Sequence, residues 1–372
     1  MFDERVYWLW LQHAFGAGSI KPISVYKRYN NLEEFYKGGK SLWSRFDFIS
    51  DKNLASLESY SLIQAEAGLE YAYKSDQNVY TYSCDDYPMK LKNIDVPPVV
   101  LYVKGDMPDF DNVLTISVVG SRGADRNAIE TTQNLCYELS KKGVIIVSGG
   151  AIGIDSAAHI GSLRGTGING LVLPCGLDYP YLMDNLSMRN QILVRGGCLM
   201  TEYPVNTPVY KGSFVVRNRI MSALGNALLV VRAKDRSGTM ITVAHATKQN
   251  KDIFALPGDI NDPFAKGTNK LISDGATPVL SVNDILNQYP NYSKVATQTY
   301  ISGEKDVRKD STILSKTAQT VYSHITISPV HISTLCDKTG FKASQVQAAI
   351  TELELYDYIT TYSGQRCSLV KM

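Results

Sequence analysis

Six short apolar segments alternate with helical patterns through the middle of this chain, and that alternation constrains the fold more than any other feature. The segments are 114–120, 144–150, 170–175, 198–203, 227–233 and 252–258. Nearly continuous apolar strands joined by helices are typical of a parallel sheet that is covered on both faces. The sequence therefore predicts a doubly wound α/β domain with a parallel sheet over residues 95–288.

Three regions flank this domain. Residues 1–92 have a helical pattern throughout, with a Gly-rich turn between two amphipathic stretches, which predicts a helix-hairpin-helix or sterile-alpha-motif-like bundle. Such a bundle serves either packing or direct DNA contact. Residues 289–312 are polar without a clear period, which indicates a linker. Residues 313–372 contain two helical stretches, a turn at Thr339-Gly340 and a hairpin near Gly364, which predicts a winged-helix-like domain.

Composition excludes several classes of protein. With 44% hydrophobic and 20% charged residues among 372, the chain has the composition of a globular protein, so we expect no fibrous or disordered class. The six cysteines form no CxxC pair, and we expect no metal site and no cofactor. Acids precede the apolar residues at the N-terminus, which argues against a signal peptide or a membrane span and favours a cytoplasmic protein.

Two glycine-containing loops follow the first two predicted strands. Ligands of doubly wound sheets bind beyond the carboxyl ends of the strands, so these loops are candidate phosphate sites. Gly120, Ser121 and Arg122 come after the first strand, where the alternative is a structural turn with a solvated arginine. The second loop opens a helix at about Ile154, and its candidate anion-binding residues are Ser148, Gly149, Gly150 and Gly153.

An acid and a histidine lie one helical turn apart behind the second loop. Asp155 and His159 share a helix face and could form a catalytic dyad, but no nucleophile or third partner accompanies them. We therefore expect both to support the loop and predict no catalytic residue. Cys175, after the third strand, is either a nucleophile or a small buried residue, and we favour the second.

Positive charge concentrates between residues 205 and 251, although the net charge of the chain is only +2. The basic residues there are Lys211, Arg217, Arg219, Arg232, Lys234, Arg236, Lys248 and Lys251, against the single acid Asp235. Arg217, Asn218 and Arg219 give a density of donors suited to successive phosphates, and Tyr203, Tyr210 and Phe214 could stack on bases. The alternative is a solvated basic helix face.

Two more loops present helix N-termini to an anion. One carries Ser237, Gly238 and Thr239, and the other begins a helix at Lys266. Several such loops along one crevice exceed what a single mononucleotide needs.

Taken together, these motifs resemble the DNA processing protein A family, also called Smf. The motifs, in family order, are "VVGSR", "SGGAIGIDSAAHIGSL", "LPCGLDYPY", "TEYP", "FVVRNRI", "RSGTMITVAHA" and "ALPGDI" followed by "KGTNKLISDGA". The resemblance implies an extended Rossmann-like domain between a helical, sterile-alpha-motif-like domain and a winged helix.

The resemblance also implies a function. Such proteins bind single-stranded DNA without sequence preference, protect it, and help load the RecA recombinase in natural transformation. They are mediators of recombination, not enzymes, and they pair as homodimers through the Rossmann-like domain. The implied DNA contacts fall on Arg122, on the loop 148–153, and on Arg217 and Arg219.

The sequence departs from the family pattern at two positions. Ile168 stands where a lysine is common, and Arg164 is a candidate replacement for that contact. Arg232 stands where the family usually has an acid, which adds charge to the basic segment and could tighten DNA binding.

Two other functions remain open from sequence. The first is a phosphoribohydrolase that releases a base from a nucleoside monophosphate, but "RSGTMITVAHA" lacks the carboxylate such chemistry needs. The second is a ligand-sensing helix-turn-helix regulator, which the cation-poor second helix of the C-terminal region does not favour.

Overall fold

The structure is a computed structural model, and it describes two compact units within the chain. The described residues are 2–165, 167–292, 315–326, 329–355, 358–362 and 365–369. Those up to 292 belong to the first unit and those from 315 to the second.

The first unit begins with six helices that pack around the first of them. They are α1 (Glu4–Phe15), α2 (Lys21–Tyr29), α3 (Leu32–Lys37), α4 (Gly39–Trp43), α5 (Asp51–Ser59) and α6 (Leu62–Lys74). Helix α1 buries most of its side chains, including Trp8 and Trp10, because the other helices surround it. Capping boxes at Ser50 and Ser61 start α5 and α6.

A nine-stranded sheet follows within the described residues. Its strands are β1 (Asn78–Thr81), β2 (Val100–Gly105), β3 (Thr115–Val119), β4 (Ile145–Ser148), β5 (Asn169–Val172), β6 (Cys198–Thr201), β7 (Ala227–Val230), β8 (Asp252–Ala255) and β9 (Thr277–Pro278). The spatial order is β1-β2-β6-β5-β4-β3-β7-β8-β9. Strands β3 to β9 are parallel, whereas β2 pairs antiparallel with both β1 and β6. The chain order reverses beside β3, which makes the sheet doubly wound.

Helices cover both faces of the sheet. The connecting helices are α7 (Met89–Lys92), α8 (Arg126–Lys141), α9 (Ile154–Arg164), α10 (Leu186–Val194), α11 (Lys211–Leu224), α12 (Gly238–Lys248), α13 (Lys266–Ser273) and α14 (Asn283–Leu286). Ile146 on β4 packs in the cluster that contains α8 and α9, whereas its neighbours Ile145 and Val147 pack with α11 and α12. This two-residue alternation explains why Ile145, Ile146 and Val147 are all apolar.

The six predicted strands are confirmed, each two or three residues shorter than predicted. The prediction that residues 1 to about 90 are helical throughout is wrong for 78–81. There β1 extends the sheet beyond β2, and Val79 packs with Val99, Val100 and Tyr102 in the same core as the helices. A four-residue strand leaves too little alternation to be recognised within a helical pattern.

The second unit contains helices and a small antiparallel sheet, the predicted arrangement. Its elements are α15 (Lys316–Tyr322), β10 (Val330–His331), α16 (Ile332–Thr339), α17 (Ala343–Leu355), β11 (Ile359–Tyr362) and β12 (Arg366–Leu369), with strand order β10-β12-β11. Gly340, at φ +72°, ends α16 as the predicted turn requires. The predicted linker 289–312 lies outside the described residues except for 289–292.

Candidate nucleic-acid interface

The loops after the parallel strands meet at one edge of the sheet, which we call the carboxyl edge. They are the β3 loop (120–125), the glycine loop (149–153) after β4, the β5 loop (173–185), the β6 loop (202–210), the β7 loop (231–237) and the β8 loop (256–265). Because neighbouring strands lie about 4.8 Å apart, the six strands from β6 to β8 extend over about 24 Å. An extended ligand with several phosphates fits this length, since stacked strands carry one about every 3.4 Å.

Glycines bring the β3 loop and the glycine loop into contact. Gly153 has φ +94°, and a Cβ atom there would lie 2.4 Å from the Ser121 carbonyl oxygen. A Cβ atom on Gly120 would lie 2.6 Å from the Ile154 side chain, and the Ile154 N–H donates to the Ser121 oxygen at 3.3 Å. The structure thus places two separately predicted loops side by side, as one surface.

The inner part of the glycine loop already holds an anion, the carboxylate of Asp155. This side chain is buried in the first turn of α9, and hydrogen bonds from the backbones of Gly149 and Ala151 reach it. Burial raises the pKa of Asp155, while Arg217 and these backbone bonds act against the shift. The amides that the sequence suggested for a phosphate therefore stabilise an internal carboxylate.

The neighbouring residues of the loop are also turned inward. The Ser148 hydroxyl donates to the Val118 carbonyl at 2.7 Å, and the Asn185 side chain donates to the Gly150 carbonyl at 2.9 Å. Both Ser148 and Gly150 are buried. These contacts do not favour a direct phosphate contact by 148–150, and they make the loop a rigid support for its surroundings.

His159 bonds to Asn169 and not to Asp155. Its Nδ1 lies 2.9 Å from Asn169 Oδ1, and the Asn169 amide donates to the Gly167 carbonyl at 2.8 Å. This network assigns the proton to Nδ1. Burial lowers the pKa of His159 to about 4, so the ring is neutral at physiological pH. The geometry fits support of α9 against β5 and forms no Asp-His dyad.

Arg217 lies beneath the glycine loop and is only 4% exposed. A Cβ atom on Gly149 would lie 2.1 Å from its Nη1, which shows how closely the guanidinium packs on the loop. Its Nη1 donates to the Val172 carbonyl and its Nε to Asn218 Oδ1 at 3.2 Å. Burial lowers the pKa of Arg217, while Asp155 opposes that shift. Arg217 and Asn218 therefore support the loop, and their burial disfavours the predicted phosphate contact.

Arg219 is paired inside the protein. Its Nη2 lies 2.8 Å from both carboxylate oxygens of Glu202, and both side chains are less than a tenth exposed. The Gly18 N–H donates to the same carboxylate at 3.0 Å, and the Gln12 side chain donates to the Glu202 carbonyl at 2.9 Å. The prediction that Arg219 binds phosphate is thus not favoured, because its charge joins the helical region to the sheet.

Arg122 is the predicted arginine that does face solvent at the carboxyl edge. Its guanidinium carbon lies 4.9 Å from the centre of the Phe214 ring, and Phe214 packs edge-on against Tyr181 at 6.1 Å. Both rings remain partly exposed. A cation beside exposed aromatic rings offers a charge for a phosphate and a surface for a base.

The β7 loop and the first turns of α12 and α13 extend this edge. Ser237 starts α12 without a side-chain capping bond, and Gly238 is exposed, so no side chain caps the first backbone N–H groups of α12 beside Thr239. Lys266 is exposed at the start of α13. These predicted residues are placed where a backbone phosphate could reach them.

The basic segment is less basic at the surface than in sequence. Besides the two buried arginines, Arg232 pairs with Asp125 and Asp262, and the Lys251 ammonium donates to the Ala223 carbonyl at 2.9 Å. The exposed members are Lys211, Lys234, Arg236 and Lys248. A direct contact of Arg232 with DNA is therefore not favoured, because the Arg232 guanidinium is paired with two carboxylates.

Arg164, the candidate replacement for the family's lysine contact, lies at the edge of the sheet opposite the carboxyl edge. Arg164 is the last residue of α9, and Ile168 precedes β5, so both lie at the amino ends of the strands. The Arg164 guanidinium packs over the Tyr137 ring at 5.4 Å. It does not reach the carboxyl edge and replaces no contact there.

Cys175 is fully buried, and burial raises the pKa of its thiol to about 11, as expected of a packing residue. Within the described ranges, no three His, Cys, Asp or Glu side chains are grouped so as to hold a metal ion. In that same part of the chain, every helix is too short or too polar to cross a lipid bilayer.

Sequence reasoning missed the residues that organise the site from behind. Glu202, Asn169 and Asn185 hold Arg219, His159 and the glycine loop through hydrogen bonds across long sequence separations. The sequence offered one signal for Glu202. It is an isolated acid in the "TEYP" motif directly after a buried strand, and a carboxylate in that position needs a partner.

The fold and this edge define a class of protein: an extended Rossmann-like α/β domain whose carboxyl-edge loops present exposed cations, aromatic rings and helix N-termini. A family model described as "DNA recombination-mediator protein A" matches residues 78–290, and one described as "DprA winged helix domain" matches residues 308–365. The chain belongs to the DNA recombination-mediator protein A family, whose curated members carry the names DprA and Smf.

Several relatives show the extent of the similarity. The DNA processing protein DprA of Bacillus subtilis is 35% identical over 223 residues, covering 60% of this chain and 75% of that one. Protein Smf of Synechocystis is 27% identical over 98% of both chains.

Two solved structures are also similar. DNA processing protein A of Streptococcus pneumoniae matches with a TM-score of 0.67 and 26% identity, covering 77% of this chain and 99% of that one. DNA processing protein A of Helicobacter pylori, described for its single-stranded DNA binding mode, matches at 0.52 and 30%, covering 57% of this chain and 96% of that one.

Proposed function

We propose that this protein binds single-stranded DNA without sequence preference along the carboxyl edge, protects it, and helps load a RecA recombinase onto it during natural transformation. In this proposal it acts in the cytoplasm as a homodimer, pairing through the Rossmann-like domain, and as a mediator of recombination, not as an enzyme. The observation that carries the proposal is the exposed Arg122 beside Phe214 and Tyr181, in a chain that belongs to this family.

Relatives support the ligand. The Helicobacter pylori protein, which shares the fold, binds single-stranded DNA. The exposed cations Arg122, Lys211, Lys234, Arg236 and Lys266 lie at the start of helices or in loops of the same edge here. Phosphate contacts of this kind carry no sequence information, which fits binding without sequence preference.

The geometry also favours a single strand over a duplex. Aromatic rings next to a cation contribute affinity when a base can stack on them, and a base is free to do so only when it is unpaired. The buried set Asp155, His159 and Arg217 then holds the glycine loop in place without touching the ligand. No step of this proposal needs a catalytic group.

Single-stranded DNA binding is the step on which the others depend, and Arg122→Ala tests it directly. We expect the variant to bind oligo-dT about tenfold more weakly, because a charge-assisted contact contributes about 1.5 kcal/mol or more. The slope of log affinity against log salt should become shallower by about 0.7, the value of one phosphate contact on a single strand. Fluorescence anisotropy at several salt concentrations measures both.

The matched control is Lys142→Ala, which removes an exposed cation at the C-cap of α8, at the amino ends of the strands. We expect it to leave affinity and slope unchanged. Wild-type protein should bind oligo-dT more tightly than duplex of the same length. Equal effects of the two substitutions, or a preference for duplex, would contradict the proposal.

A further inference from the structure

Three loops of the carboxyl edge meet at one partly buried guanidinium, that of Arg232. It follows β7, next to the point where the strand order reverses beside β3. Its Nη2 pairs with Asp125 of the β3 loop, and its Nη1 lies 2.5 Å from Asp262 of the β8 loop. The Arg232 side chain is 19% exposed, whereas the Asp125 and Asp262 side chains are 53% and 22% exposed.

The β7 and β8 loops are joined further by their backbones. The Ala233 N–H donates to the Phe264 carbonyl at 2.8 Å, and the Gly267 N–H donates to the Ala233 carbonyl at 2.9 Å. The Lys234 ammonium lies 4.5 Å above the Phe264 ring. The β3 loop has no such backbone link to them in the described structure, and Arg232 connects it by charge.

Both carboxylates of the cluster have a second task. Asp125 caps α8 by accepting from the Ala128 N–H at 2.8 Å, and Asp262 accepts from the Phe264 N–H at 2.8 Å. They are therefore fixed at the edge whether or not Arg232 is present. Asp125 is only three residues from Arg122, the exposed cation of the same loop.

We propose that Arg232 is a positioning residue that masks Asp125 and Asp262, so that a phosphate backbone can run past Arg122 without meeting two free carboxylates. This inference rests on the proposed function, and it assigns Arg232 no phosphate contact of its own. With Arg232 the cluster carries one net negative charge, and without it two. Charges on the order of 10 Å apart interact at low salt, where the Debye length is about 30 Å at 0.01 M, and are largely screened at physiological salt, where it is about 8 Å.

Two variants separate masking from direct contact. Arg232→Gln leaves both carboxylates uncompensated, and we expect it to bind oligo-dT about threefold or more weakly at low salt. The triple variant Asp125→Asn, Arg232→Gln, Asp262→Asn removes all three charges. Asparagine also accepts at both capping positions, so the caps on Ala128 and Phe264 persist. We expect the triple variant to bind at least as tightly as the wild type.

The salt dependence of oligo-dT affinity distinguishes masking of the carboxylates from a direct phosphate contact by Arg232. If Arg232 only masks the carboxylates, the triple variant keeps the wild-type slope of log affinity against log salt. If Arg232 contacts a phosphate, the triple variant stays as weak as Arg232→Gln and its slope falls by about 0.7. That result would overturn the proposal.

Folding and the underlying function are checked separately. Thermal unfolding of each variant identifies a loss of structure, and Arg232→Lys, which retains a charge that can pair with one carboxylate, should recover part of the lost affinity. Weak binding by a folded triple variant contradicts masking. A wild-type protein that fails to bind oligo-dT contradicts the proposed function instead, whatever the variants do.

Discussion

At the residue scale, His159 shows how burial, together with the nearby charge of Arg217, turns a titratable group into a source of pH dependence. The ring is fully buried and bonded to Asn169, and its pKa falls to about 4 from 6.5. Between these two values the unfolded chain binds a proton that the folded protein does not bind. Stability contributed by His159 is therefore present above pH 6.5 and lost as the pH falls toward 4.

We expect the free energy of unfolding to fall by about 3 kcal/mol more in the wild type than in His159→Gln between pH 7 and pH 4, from 1.36 kcal/mol per pKa unit. The raised pKa of Asp155 acts in the opposite direction, but it is common to both proteins. Urea denaturation at each pH measures the difference. Parallel pH profiles would show that His159 does not carry the effect.

The arginines illustrate what a sequence pattern leaves undetermined at this scale. Arg122, Arg217 and Arg219 were equally good candidates by residue type, yet only Arg122 faces solvent. Arg217 and Arg219 occupy the middle of α11, where their direction depends on the strands and loops that pack there. Their partners Val172 and Glu202 are 45 and 17 residues away, a distance over which no local pattern operates.

At the scale of elements, the packing of the glycine loop on the β3 loop depends on Gly153. An alanine there would place its Cβ atom 2.4 Å from the Ser121 oxygen and would adopt φ +94°, which side chains disfavour. We expect Gly153→Ala to destabilise the protein by about 2 kcal/mol or more, from the strained backbone and the close contact together. Because the loops move apart, oligo-dT affinity should fall as well.

The matched control for that substitution is Gly123→Ala in the β3 loop. Gly123 has no such conformational requirement, and the nearest atom to a Cβ atom there is Ser121 Oγ at 4.0 Å. We expect a change in the melting temperature of no more than a degree or two. If thermal unfolding finds the two variants equally stable, the close contact between the two loops does not require glycine at position 153, and the prediction is contradicted.

The elements themselves could be predicted well, because their patterns are local. Continuous apolar strands such as 144–150 and the helix start at Ile154 were recognisable from periodicity and glycine placement. The strand at 78–81 was not recognisable in this way, since it is an edge strand whose partners in β2 lie 19 to 25 residues further along the chain. Its neighbours along the chain are helical, which hid its short alternation.

At the scale of the whole molecule, the helical region and the sheet share one interior. The hydrophobic cluster that contains Trp8 and Trp10 of α1 also contains Val100 and Tyr102 of β2. Val99, the residue before β2, packs in the same cluster. The buried Arg219–Glu202 pair, bonded to Gly18, adds a polar link between them. The described residues up to 292 therefore belong to one compact unit, within which the sequence predicted a helical domain over 1–92 and an α/β domain over 95–288.

The second unit has its own core, formed by residues such as Leu335, Val346 and Leu353, none of which belongs to a cluster of the first unit. Residues 313–372 contain five Lys and Arg and four Asp and Glu, so this part of the chain attracts phosphates only weakly.

We expect residues 1–292 expressed alone to fold and to bind oligo-dT within about twofold of the full chain, since the exposed cations of the carboxyl edge all precede residue 292. Residues 313–372 alone should fold and bind neither oligo-dT nor duplex measurably at physiological salt. Circular dichroism establishes folding and anisotropy establishes affinity; a folded 1–292 protein that has lost tenfold or more in affinity would place part of the interface in the second unit.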